Sequence, residues 1–172
     1  MVSGISQLVQ IDRKDERGME RKLREKLPGG VFKGVSETRS RTMSAIRGKH
    51  AKSTETRLRM ALIRARIKGW TLHATDLPGK PDFIFPNRQF AIFVDGCFWH
   101  GCSTCGHIPK TNTEFWTAKI HRNIERDQRN IKALRKLDWT VLRIWEHSLK
   151  NKLAMALVIK SIQKRLSIDP SD

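Results

Sequence analysis

Apolar residues recur at two different periods along the chain, and the changes of period mark out the elements. Leu58, Leu62 and Ala65 stand at helical spacing. They predict a helix that starts at Ser53 as its cap, carries Glu55 in its first turn where an acid suits the dipole, and ends at Gly69. Trp70–Thr75 then reads as a first strand. A Leu77-Pro78-Gly79 turn leads to Pro81-Asp82-Phe83-Ile84-Phe85, a short apolar strand, and Pro86-Asn87-Arg88-Gln89 has the length of a hairpin turn. Phe90–Val94 is a continuous apolar run, the pattern of a central strand buried on both faces. Residues 96–110 are irregular and rich in Gly, Cys and His. Thr111 and Glu114 have the spacing of a capping box and predict a long helix to about Leu137. Trp139–Trp145 is another apolar strand, and Leu153–Leu166 a last amphipathic helix. The alternation of helices and strands predicts a mixed α/β domain. Residues 1–35 read differently: Asp12–Lys26 mixes both charge signs with few large apolar residues, and Pro28-Gly29-Gly30 breaks the chain. They predict a flexible or partly helical extension, with one folded domain over 36–172.

Charge changes this picture from fold to partner. Lys and Arg number 34 against 17 Asp and Glu in 172 residues, a net charge of +17, which points to a polyanion and first to nucleic acid. No stretch approaches the roughly 18 apolar residues of a membrane span, and the N-terminus lacks the apolar run of a signal peptide. Three cysteines fit a disulfide framework poorly, so a cytosolic protein with reduced thiols is expected.

The cysteines are clustered. Cys97, Cys102 and Cys105 share one loop, and Cys102 and Cys105 have the gap that lets neighbouring thiolates share a tetrahedral metal. The spacing predicts a structural zinc site completed by His147 or His107; a redox pair or free buried thiols are the competing readings. The acids are informative too. Asp82 heads one short strand and Asp95 ends its neighbour, where two carboxylates could share Mg²⁺. Ile120, Ile124, Ile131 and Leu134 form one face of the long helix, and Asp127 fills the vacancy in it. An acid on a buried stripe needs a partner, either an Arg, a catalytic His such as His100, or a metal. Glu55 reads first as a first-turn acid. Phe98, Trp99 and Trp116 are core anchors or surfaces for stacking on bases, while Trp139 and Trp145 read as strand core. Arg39, Arg41, Arg47, Lys49, Lys52, Arg57 and Arg59 are candidate phosphate contacts or a solvated face.

In order, these motifs form a familiar combination: Thr38-Arg39-Ser40 with Met43 and Ile46, Leu77 to Phe83, Asp95-Gly96-Cys97-Phe98-Trp99-His100, Thr113 to Trp116, Glu125-Arg126-Asp127 and Trp145-Glu146. From Thr38 to Lys150 the chain resembles the very short patch repair (Vsr) DNA mismatch endonucleases. The resemblance implies a restriction-endonuclease-like mixed central sheet flanked by helices, with a structural zinc site. It implies Mg²⁺-dependent nicking of one strand of double-stranded DNA, 5′ to the T of a T:G mismatch left by deamination of 5-methylcytosine. Asp82 matches the Mg²⁺-binding acid and Val94 the backbone carbonyl ligand. His100 matches the His that activates water, Asp127 its carboxylate partner, and Glu55 an acid near the active site. Met43, Phe98, Trp99 and Trp116 match residues that wedge into DNA. Cys97, Cys102, Cys105 and His147 match the Zn²⁺ ligands, with His107 a rival for the last. Asp95 stands where some members have His, so its role as metal ligand or acid–base group is open. The resemblance also implies a monomer in the bacterial cytoplasm, associated with the nucleoid, and allows an accessory mismatch-repair protein such as MutL. The same fold could instead serve a nuclease of other specificity, of restriction or homing type, or a zinc-stabilised DNA-binding protein without catalysis.

Overall fold

The computed structural model describes residues 53–166, together with 21–23, 25 and 38. The expected boundary at 35/36, Met43 and the cations from Arg39 to Lys52 lie outside the described residues. Helix α1 spans residues 53–64 and is followed by β1 (Thr71–Leu72), β2 (Phe83–Phe85) and β3 (Phe90–Asp95). Helix α2 (Thr113–Lys136), β4 (Thr140–Trp145) and helix α3 (Lys152–Leu166) complete the described chain. The strands form one sheet in the order β1-β2-β3-β4, antiparallel except for the parallel pair β3–β4. A parallel pair needs a crossover, and α2 supplies it. Among the described residues, no helix is long and apolar enough to cross a membrane.

Side chains alternate across a strand, so each face of the sheet collects its own set. Phe83, Phe85, Phe90, Ile92 and Ile144 pack with Leu58 and Leu62 of α1 and Ile162 and Leu166 of α3. On the other face Ile84 and Ala91 pack with Leu134 of α2, backed by Phe93, Trp139 and Val141. The layers are therefore α1 and α3, sheet, and α2. Phe90 pairs with both Phe85 and Thr140, which makes β3 the interior strand its apolar run predicts. Alternation has a second consequence. Asp95 and Arg143 lie in phase with Ala91, Phe93 and Val141, on the face that α2 covers, and so must meet that helix.

Several local expectations need correction. Ser53 is already helical rather than a cap. Helix α1 ends not at Gly69 but at Arg66, whose backbone is left-handed (φ 55°). Arg66 N–H donates to Ile63 C=O and Ile67 N–H to Leu62 C=O, the paired bonds of a Schellman motif, with Ile67 and Leu62 both buried in the core. Helix α2 closes the same way: Asp138 (φ 60°) donates to Arg135 C=O and Trp139 to Leu134 C=O. The first strand is two residues rather than Trp70–Thr75, because His73 turns left-handed (φ 53°). The Thr111–Glu114 capping box does not form. Asn112 precedes the first helical residue without a side-chain cap, and Thr113 Oγ1 donates back to the carbonyls of Pro109 and Lys110 instead. Trp145 is half-buried rather than strand core, with the Arg143 guanidinium 5.3 Å from its ring centre.

A left-handed backbone costs a residue with a Cβ roughly 1–2 kcal/mol, against a smaller entropic cost for glycine. Arg66 is exposed. Arg66→Gly is therefore expected to stabilise the fold by about 0.5–1 kcal/mol, read as a higher urea midpoint with an unchanged slope.

Candidate active site and metal centre

The candidate site forms where β3 ends and the loop after it folds back over α2. Gly101 adopts φ 64°, and a Cβ there would stand 2.7 Å from Ile124 Cδ1, so only glycine lets the loop approach the helix this closely. Asn123 Nδ2 of α2 donates to Trp99 C=O at 2.8 Å and pins the loop down. The loop thereby carries His100 to α2, where His100 Nδ1 lies 2.6 Å from Asp127 Oδ2. The acid predicted to need a partner has both a His and an Arg. Arg143 Nη2 of β4 also donates to Asp127 Oδ2, at 3.0 Å, while Arg143 Nε donates to Asp95 Oδ2 at 2.5 Å. Asp95 Oδ1 stands 3.6 Å from His100 Nδ1.

Burial alone would raise the Asp127 pKa, but the hydrogen bond and electrostatic interaction with His100 and the positive charges of Arg143 and Arg126 hold it below the usual carboxylate range. Burial likewise works against the charge of Arg143, and its bonds to Asp95 and Asp127 overcome it, so this guanidinium stays cationic. With an anionic carboxylate on Nδ1, His100 keeps its proton there and presents Nε2 as its basic nitrogen.

Asp82 occupies the end of β2. The ladder with β3 runs out at the Phe83–Ile92 pair, and the next free strand amide, Val94 N–H, donates to Asp82 Oδ2 at 2.7 Å. Burial pushes the Asp82 carboxyl up to about 6, partly offset by the Val94 bond and reinforced by the negative charges of Glu55 and Asp95. One carboxylate oxygen of Asp82 clusters with Glu55 of α1 and His73. Oxygen donors held together at the cost of mutual repulsion fit a divalent cation.

The cysteines form a second centre. Cys97, Cys102 and Cys105 surround His147, with His147 Nδ1 at 3.3, 3.6 and 3.3 Å from the respective sulfurs, and Cys102 Sγ 3.7 Å from Cys105 Sγ. Ligands at Zn–S of about 2.3 Å and Zn–N of about 2.0–2.1 Å stand roughly 3.5–3.8 Å apart at tetrahedral angles. The four side chains fit a metal of that kind. His147 follows β4 and reaches the cluster, whereas His107 packs its ring 5.6 Å from that of Phe98. Gly106 closes the loop by donating to Cys102 C=O, so close that a Cβ would stand 2.4 Å from that oxygen. The Cys102 thiol comes down to about 6: burial opposes its ionisation, but backbone N–H groups of Cys105 and Thr104 and the neighbouring thiols favour it. Cys105 is pushed up to about 12, mainly by its bond with Cys97. Crowded thiols share one ionisation unless a cation is present to hold more.

Between these centres stand half-buried aromatic rings. Phe98 lies 4.8 Å from Trp99 and 5.4 Å from Trp116, edge to face, and Trp99 lies 6.0 Å from Trp116. These rings, brought from the loop and from α2, form one cluster, and Trp99 is the chain neighbour of His100.

Two residues of the site are absent from the sequence reading. Arg143 had a signal: a cation inside the apolar strand Thr140–Trp145, in phase with its buried face, demands acids opposite. His73 has none, because it meets Glu55 and Asp82 only once α1 and β2 pack beside β1.

Comparison with known proteins follows this geometry. The profile described as DNA mismatch endonuclease Vsr matches residues 33–106, from before α1 through the cysteine loop. The DNA mismatch endonuclease Vsr of Escherichia coli K12 is 39% identical over 117 residues, covering 67% of this chain and 73% of that protein. The type II nicking enzyme V.NaeI of Lentzea aerocolonigenes is 42% identical over 113 residues, 63% of this chain and 68% of that enzyme. The type II nicking enzyme V.XorIIP of Xanthomonas oryzae is 41% identical over 101 residues, 58% of this chain and 71% of that enzyme.

Proposed function

Since the chain belongs to the family of DNA mismatch endonucleases Vsr, we propose that it nicks one strand of double-stranded DNA, 5′ to the T of a T:G mismatch. The observation that carries this reading is the 2.6 Å bond between His100 and Asp127, set beside the buried acid Asp82. His100 Nε2 takes the proton from the attacking water, and Asp127 stabilises the imidazolium that results. Arg143 and Asp95 position this pair: the guanidinium ties Asp127 to the end of β3 through Asp95. Asp82 would hold the catalytic Mg²⁺ together with the backbone carbonyl of Val94, the residue whose N–H donates to Asp82 Oδ2. When bound, the ion supplies charge stabilisation for the phosphate oxygens in the transition state. The Cys97, Cys102, Cys105 and His147 site holds Zn²⁺ and fixes the loop that bears Phe98, Trp99 and His100. Phe98, Trp99 and Trp116 wedge beside the mismatch, where base pairs part at lower cost than in matched DNA. The three-layer fold accords with a restriction-endonuclease-like nuclease.

Nicking assays with Mg²⁺ on T:G and fully matched duplexes of the same sequence test this reading. Cleavage of the T:G duplex alone is expected. Equal cleavage of both would make the protein a nuclease of other specificity, a reading that relatives described as type II nicking enzymes keep in view. No cleavage of either would leave a DNA-binding protein.

Asp127→Asn keeps the shape of the pair but removes the charge that stabilises protonated His100. Nicking is expected to fall about 10²–10⁴-fold, with mismatch affinity, measured by gel shift, unchanged within about twofold.

A further inference from the structure

Among the described residues, one further group of ligand-type side chains converges outside the His100–Asp127 pair and the cysteine cluster. Glu55, His73 and Asp82 each offer an atom within 4.8 Å of the others, and His73 Nε2 stands 3.7 Å from Glu55 Oε2. They come from α1, the residue after β1 and the residue before β2. The backbone fixes the arrangement: His73 N–H donates to Asp82 C=O at 3.1 Å, so the imidazole springs from directly opposite the acid. Donors on one divalent ion at bond lengths of about 2.1 Å stand roughly 3–4 Å apart. The His73 side chain is 61% exposed, so the imidazole is reachable from solvent.

We propose that His73 is a nitrogen ligand of the divalent ion at Asp82, so that the site, while serving Mg²⁺ in the proposed reaction, binds a first-row transition ion such as Mn²⁺ more tightly. Mg²⁺ binds oxygen donors almost exclusively, whereas affinity for imidazole rises along the series from Mn²⁺ to Cu²⁺. Replacing one oxygen ligand by an imidazole thus shifts selectivity without changing the charge of the site. The inference rests on the reading of Asp82 as the metal-binding acid and adds to it the nitrogen donor and the class of ion.

Electron paramagnetic resonance of Mn²⁺ added to the full chain, with its zinc retained, tests both points without reference to activity. The wild-type chain is expected to bind Mn²⁺ with nitrogen hyperfine modulation. His73→Asn keeps a residue that tolerates a left-handed backbone, and it should lose the modulation and bind Mn²⁺ about tenfold more weakly. Mg²⁺, measured by competition, should lose less than about twofold in the same variant. His73→Ala is expected to behave alike. Nitrogen modulation and Mn²⁺ affinity unchanged in both variants would overturn the assignment of His73. Undiminished Mn²⁺ binding in Asp82→Ala would instead overturn the reading beneath it, and the two failures are separately visible.

Discussion

Replacing Asp82 with Asn is expected to abolish nicking and, in the absence of added divalent ions, to make the chain more stable. The amide keeps the oxygen that accepts from Val94 N–H and fills the same space. What it removes is a charge held in an unfavourable place. Burial, with Glu55 and Asp95 nearby, raises the folded-state pKa from 3.8 to about 6. Between those values the unfolded chain releases its proton while the folded chain keeps it, so stability falls as pH rises through the window. Above it the ionised Asp82 costs on the order of 1–3 kcal/mol, less what solvent screening removes. Asp82→Asn should therefore melt several degrees higher than wild type at pH 7 and at the same temperature at pH 3.5. Nicking should fall by at least about 10³-fold, because the site loses its cation-binding charge. A variant that nicks within tenfold of wild type would take Asp82 out of the chemistry. The same proton competes with the cation, so metal affinity of the wild type should weaken as pH falls below about 6.

Which parts of the molecule can be read from its sequence depends on whether their cause is local in the chain. The apolar run Phe90–Val94 and the vacancy at Asp127 are local patterns, and both lead straight to observed features: an interior strand and an acid with buried partners. The cysteine loop was legible for the same reason, since its ligands lie within a few residues, apart from His147. The end of α1 differs from the expectation because Arg66 occupies a position where glycine is the usual sign, and tertiary packing of Ile67 holds it there, whereas α2 ends where expected, beside Leu137. Arg143 has a local sign, its place as a cation within an apolar strand. His73 depends on α1 docking against the sheet edge, a contact with no local trace.

The second large effect concerns the cysteine centre. Cys102→Ser should lose the bound metal, lower the melting temperature by at least about 10 °C, and weaken mismatch binding. Cys102 is buried, and backbone N–H groups of Thr104 and Cys105 favour negative charge on its sulfur. Without a cation the remaining thiols cannot all ionise, and the loop that supports Phe98, Trp99 and His100 loses its anchor. A zinc chelator should reproduce the fall in wild type and leave the variant unaffected. Metal content by mass spectrometry and melting curves together check this; a wild-type chain stripped of metal but melting at its original temperature would show that the centre is not structural.

The join between Cys97 and His147 spans 50 residues. A metal shared across it acts as a cross-link, and closing a loop of that length removes about 4 kcal/mol of chain entropy from the unfolded state. Trp99, His100, Trp116, Asp127 and Arg143 all fall inside the loop. That part of the candidate site thus lies within one ring, with Asp82, Glu55 and His73 outside it, and oxidation of the sulfurs would free the ends of the ring without touching His100 or Asp127.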